Sequence, residues 1–167
     1  MWDALDQQES TKKIFLAALT RSHTLKPPAG FTISRPSIAW GRKASPDAVG
    51  YFIEHKDGFR TSVFLCNGLV QDFTYAGLKK SGEVISCQMH LPMPMQISTT
   101  ADFFNPLVNH IEQMIMENRA PYPVERTLLT SGMTSFAVAS LADGAPIETP
   151  GMTVRYQPTA TPTYWRL

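Results

Sequence analysis

The chain has 167 residues, 43% of them hydrophobic and 17% charged, with a formal net charge of +1. That length and apolar fraction suit one globular domain with a real core, while the near-neutral balance gives no electrostatic basis for binding nucleic acid or an anionic membrane surface. No apolar run approaches the roughly 20 residues that span a bilayer, and the first residues, MWDALDQQESTKK, have neither the basic nor the apolar region of a secretory signal. A cytoplasmic location is the expectation.

In chain order, residues 3–21 read as a helix, with Ile14, Ala17, Ala18 and Arg21 at helical spacing and Ser10 as a candidate N-cap. Glu9 and Lys13 can pair across one turn. Trp2 standing inside what reads as an ongoing element suggests a truncated gene product. Residues 24–48 break the pattern with Pro27, Pro28, Pro36 and Pro46, and read as a long loop with one short extended piece near 31–34.

Residues 49–91 carry the clearest strand signal. Asp57-Gly58 and Asn67-Gly68 sit between β-branched and aromatic runs, a strong hairpin cue. With two-residue loops at both turns, Glu54 opposes Thr61 and Phe52 opposes Val63. Across the second turn Cys66 opposes Leu69 and Phe64 opposes Gln71. A fourth strand over 83–91 completes a four-stranded antiparallel meander. In this register one face holds Phe52, Val63 and Leu65, and the other holds Tyr51, Ile53, Phe64, Leu69 and Phe73. Neither face is polar, so both are expected to be covered, one by helices and the other by a second subunit or a missing domain. Phe64 is the central residue of one candidate dimer face. Cys66 and Cys87 lie in apolar strand contexts and read as free buried thiols in a reducing compartment.

Residues 90–102 form a Pro- and Met-rich connection whose methionines are read as gap-fillers in a core. A helix follows over 103–118, with Leu107, Val108, Ile111, Met114 and Ile115 on one stripe and Thr100 or Asp102 as N-cap. Pro121 and Pro123 end it, and Pro123 suits the first turn of a second helix over 123–142. Asp143-Gly144 is the stop signal. Residues 152–156 alternate as a final strand, and 158–167 form a Pro/Thr-rich tail. The expected class is α+β: an antiparallel meander with helices packed mainly on one face, in a single domain over 1–157.

The search for chemistry yields mostly negatives. The sequence contains no Gly-x-Gly-x-x-Gly, no phosphate-binding Gly-x-x-x-x-Gly-Lys loop, no Gly-x-Ser-x-Gly and no Cys-x-x-Cys. Ser131-Gly132 lies within a helical pattern and reads as a close-packing pair. The four histidines are scattered, so a metal site has little support. His110 and Glu112 are two apart on a helix and point in different directions. One constellation comes from the counted register: His55 opposes Arg60 and Arg60 opposes Tyr75, a row of imidazole, guanidinium and phenol suited to a polar or anionic ligand. A solvated sheet end beside the Asp57-Gly58 turn explains the same residues. Asp72 is a further mid-strand carboxylate.

Taken together, residues 103–156, FFNPLVNHIEQMIMENRAPYPVERTLLTSGMTSFAVASLADGAPIETPGMTVRY, resemble the end of a Gfo/Idh/MocA-family oxidoreductase. The shared features are an amphipathic helix starting at an aromatic, a Pro-containing break, a Glu entering a second helix, then Gly and an edge strand. The resemblance implies a C-terminal α+β substrate-binding or oligomerisation domain whose Rossmann half is absent. NAD or NADP is implied for a full-length relative and no cofactor for this chain, with a sugar-like substrate. The family's Glu-Lys-Pro lysine and Asp-x-x-x-His pair have no counterpart in this sequence, so no catalytic position transfers. A non-catalytic assembly module that homo-oligomerises through its sheet is the alternative.

Overall fold

The computed structural model describes residues 1–25, 36–89 and 104–158. They belong to two compact units, residues 1–91 and 92–167. The first holds α1 (Trp2–Asp6), α2 (Glu9–Leu19), α3 (Ile38–Ala44) and four strands, β1 (Val49–Glu54), β2 (Arg60–Leu65), β3 (Thr74–Leu78) and β4 (Val84–Gln88). The second holds α4 (Asn105–Glu117) and α5 (Val124–Asp143). The chain is α+β with antiparallel strands, and α2 packs on β3 and β4.

The expected helix over 3–21 is two helices. Gln8 sits at φ −126° and ψ 84°, outside the helical region, and the bend lets α1 turn Trp2 and Leu5 into the core. The Trp2 Nε1–H donates to the Ser45 carbonyl at 2.9 Å, and its ring meets Phe15 edge-on at 5.7 Å. Glu9 pairs with Lys12 at 2.9 Å rather than with Lys13. Helix α3 lies within the stretch read as loop. Its seven residues cannot sustain a helix alone; Ser37 Oγ caps it by accepting from the Trp40 amide, and Trp40 and Gly41 are buried. Gly41 suits a close approach, since a Cβ there would lie 3.0 Å from the Trp2 ring.

The strands form two hairpins, β1–β2 and β3–β4, each a separate two-stranded sheet. The first loop has three residues, not two. His55 N–H donates to Phe59 O, Gly58 N–H donates to His55 O, and Gly58 adopts φ +80°. This is a turn closed by a left-handed glycine, a geometry open to glycine at little cost. The second hairpin repeats it at Lys79–Glu83 with Gly82 at φ +84°. The extra loop residue shifts the register by one: Glu54 pairs with Arg60, Phe52 with Ser62 and Tyr51 with Val63. A one-residue slip moves every side chain to the other face. Phe52 therefore shares a face with Phe64, ring centroids 5.8 Å apart, and Phe64 packs on Phe15 of α2 at 4.9 Å. Phe64 faces the core, which removes it as a dimer contact. The outward face carries Phe59, Val63 and Leu65, all exposed.

Asn67-Gly68 is not a hairpin turn. The Leu69 and Val70 amides both donate to Cys66 O, and Leu69 is fully buried. The next residues bond to the turn that follows α2 instead of to β2: Gln71 N–H donates to Thr24 Oγ1 at 2.7 Å, and Asp72 accepts from Ser22 Oγ and the His23 amide. The expected four-stranded meander is thus divided between β2 and β3. Cys66 is buried and Cys87, expected buried, is exposed; both are free thiols.

In the second unit α4 ends at Asn118 in the left-handed conformation, φ 47°, before Pro121 and Pro123. Helix α5 starts after Pro123 and stops at Gly144, φ 64°. Residues 152–156 keep the expected alternation, with Met152, Val154 and Tyr156 half-buried, but pair with no strand among the described residues. Gly132 is the point of close approach: a Cβ there would fall 2.2 Å from Met152 Cε. The extended piece near 31–34, the connection over 90–102, the caps Thr100 and Asp102, and residues 159–167 lie outside the described residues. No described helix is long and apolar enough to cross a membrane.

Candidate functional site

The division of the strands leaves a cleft of about 990 Å³ between α2, β2 and β3 in the first unit. Ile14, Phe15, Ala18 and Leu19 of α2 form its apolar floor, and residues 58–67 and 70–79 form its walls. Only three charged side chains line it: Arg60, Asp72 and Lys79.

The row expected from the sequence does not form as a row. Arg60 lies opposite Glu54, while His55 lies opposite Phe59 on the other face of the hairpin. Tyr75 pairs with Cys87 in the second hairpin. Arg60 and Tyr75 both line the cleft, and His55 is not among its lining residues. His55 Nε2 instead lies 3.1 Å from Thr61 Oγ1, with its ring 5.6 Å from that of Phe59. A hydroxyl beside an imidazole is the start of a nucleophile–base pair, but no described carboxylate orients the other ring nitrogen.

Asp72 is a junction. Besides the Ser22 hydroxyl and His23 amide, it accepts from Gln88 Nε2 at 2.6 Å, tying the turn after α2 to β4 through one carboxylate. Burial pushes its carboxyl up, but the bonds from Ser22, the His23 backbone, Thr24 and Gln88 outweigh that and hold it below the ordinary 3.8. A carboxylate with its lone pairs so engaged is a poor proton acceptor, so Asp72 serves the fold. Burial pushes the Cys66 thiol up to about 11, which leaves it protonated and unreactive at neutral pH.

The second unit holds a cluster that the sequence pattern did not single out. At the Pro-flanked corner, the Arg126 guanidinium lies 4.5 Å from the Tyr122 ring centre, and His110 meets the same ring edge-on at 6.0 Å. Tyr122 and Arg126 are four residues apart across the start of α5, and that spacing was the available signal. His110 Nδ1 lies 3.4 Å from Gln113 Oε1 and makes no dyad with Glu112. Among the described residues no group of three or more His, Cys, Asp or Glu is placed to hold a metal ion. The cleft brings an apolar floor together with Arg60 and with Lys79, which pairs with Glu83 at 2.8 Å. No protein-family model, curated protein or solved structure matches the chain.

Proposed function

We propose that this chain is the substrate-binding and oligomerisation domain of a cytoplasmic NAD(P)-dependent oxidoreductase of Gfo/Idh/MocA type acting on sugar-like substrates. It contributes surface and shape, and hydride transfer takes place when a Rossmann half supplies the nicotinamide. The sequence likeness over 103–156 is one support. Within that stretch the helix, the Pro break, the second helix and its left-handed glycine stop fall at the expected positions. The observation that carries the reading is the amount of apolar surface left open. Val63 and Leu65 are nearly half exposed on the outward face of the first hairpin, and Phe73 is 62% exposed beside the second. Exposed apolar side chains of this size are the raw material of an interface.

The same surface serves the alternative, an assembly module without catalysis. The DNA upstream of Met1 separates the two. A reading frame continuing into a Gly-rich βαβ unit supports the oxidoreductase, and a stop codon with a ribosome-binding site there overturns it in favour of the assembly module. In either case calorimetric titration of the chain alone with NADH or NADPH should show no micromolar binding, because its sequence has no glycine-rich loop for the pyrophosphate.

A further inference from the structure

Antiparallel pairing leaves alternate residues of an edge strand with both backbone groups pointing away from the partner. Because His55 and Phe59 are a hydrogen-bonded pair, the residues of β2 that turn away from β1 are Arg60, Ser62 and Phe64. Phe73 and Met89 set the same phase in the second hairpin, so Thr74, Ala76 and Leu78 turn away from β4. These two edges face each other across the cleft. They stay more than 8 Å apart, Cα to Cα, at nearly every position, whereas paired strands lie about 4.8 Å apart. The two edges are not paired with each other, and the cleft that both line, about 990 Å³ in volume, accommodates a short extended segment.

The two edges cannot close on each other without breaking the connection between them. Leu69 is fully buried and Asp72 is bound to the turn after α2 and to β4, so the connecting residues hold the hairpins apart. Exposed strand edges are commonly blunted by proline, by bulges or by a covering element; Arg60–Leu65 and Thr74–Leu78 contain no proline.

We infer that this cleft is a strand acceptor: an extended peptide segment of a partner protein adds between β2 and β3, its alternate apolar side chains resting on Ile14 and Ala18 of α2. Strand addition of this kind takes its affinity from main-chain hydrogen bonds and its specificity from pockets and charge. Charge sets the polarity. Arg60 and Lys79 lie at the end of the cleft away from the connecting turn; Lys79 is paired with Glu83 at 2.8 Å, and Arg60 has no ion-pair partner among the described residues. Asp72, the one acid of the lining, lies near the other end with its oxygens engaged. A segment antiparallel to β2 places its C-terminal end at Arg60, so the occupant carries a carboxylate there. The inference is independent of the oxidoreductase reading.

The experiment uses the full chain and a fluorescein-labelled peptide, Thr-Val-Thr-Val-Thr-Glu, with a free C-terminus. Saturable anisotropy is expected. Methylating alternate amide nitrogens of the peptide should weaken binding at least tenfold. Arg60→Glu should weaken it about fivefold or more and prefer the same peptide ending in Lys. Hydrogen exchange should slow on binding at the amides of Ser62, Phe64, Ala76 and Leu78. No saturation at millimolar peptide, equal binding of the methylated peptide, or protection of those amides in the free chain would overturn the proposal. So would their protection by concentration-dependent dimerisation, which would make a second copy the occupant.

Discussion

The two units differ in what their apolar residues accomplish. In the first, Trp2, Leu5, Phe15, Leu19, Trp40 and Leu69 converge from three helices and a turn, and each is nearly or wholly buried. In the second, α4 and α5 have apolar residues at helical spacing just as regular, yet neither helix has a buried residue; Ile115 is 72% exposed and Met116 85%. A periodic stripe shows which face of a helix is suited to burial. Burial itself requires a surface of matching shape, and α2 has one because Phe64 and the second hairpin meet it. The comparison separates periodicity from burial: the buried apolar side chains of the first unit hold its fold together, while the equally regular stripes of α4 and α5 stay exposed.

The comparison breaks most readily at Leu5. Leu5→Ala removes a fully buried side chain and should cost about 2–5 kcal/mol in urea unfolding followed by tryptophan fluorescence. Ile115→Ala, at an exposed site, should stay within about 0.5 kcal/mol. Equal losses would mean that the second unit has a core of its own. Phe64→Asp against Val63→Asp tests the register in the same way. The first places a charge against Phe15 and should unfold the first unit; the second points outward and should leave circular dichroism unchanged while reducing any self-association seen by sedimentation.

Asp72→Asn should cost about 1 kcal/mol, discounted from a fully buried case because the carboxylate is partly exposed. The sign follows from its lowered pKa. Its contribution is present above the ordinary 3.8 and is lost as pH falls through the lower folded value. The wild-type advantage over the variant should therefore shrink below about pH 4, and an unchanged gap at pH 3 would exclude an ionised junction. The two thiols provide a finer measure. Cys87 should react promptly with a thiol reagent at pH 8, and Cys66 only as the first unit opens. Since burial raises the Cys66 thiol from 9.0 to about 11, its share of stability holds below pH 9 and is lost as pH rises through 11. The smallest effect belongs to Glu83→Gln, which removes an exposed pair with Lys79 and should change stability by less than about 0.5 kcal/mol.

Local signals were legible in the sequence. The strands β1, β2 and β4, the two helices of the second unit, the Pro break between them and the Asp143-Gly144 stop depend on neighbours within a few residues and lie where spacing and turn chemistry put them. Strand β3, by contrast, begins at Thr74 and not at Leu69, where an Asn67-Gly68 hairpin would have started it. Gly132 as a close-packing residue was also readable. Helix α3 was not, because its signals, Ser37 as cap and Trp40 as anchor, were masked by the prolines around them and its stability comes from Trp2, far away in the chain. The candidate row His55, Arg60 and Tyr75 depended on counting two loop residues where the chain uses three. Sequence distance alone cannot separate a two-residue Asp-Gly turn from a three-residue turn closed by the same glycine, and that one residue decides which face every side chain takes. The cleft was least legible of all. Asn67-Gly68 has the composition of a hairpin turn, and only the burial of Leu69 with the capture of Asp72 by the turn after α2 and by β4 turned it into a spacer. The sequence by itself determined the elements, because helix periodicity, capping and glycine conformations are set within a few residues. Tertiary structure alone decided which strands pair, which aromatic faces inward and where a cleft remains, because those outcomes compare the burial of distant side chains with the hydrogen bonds that an alternative pairing would have made.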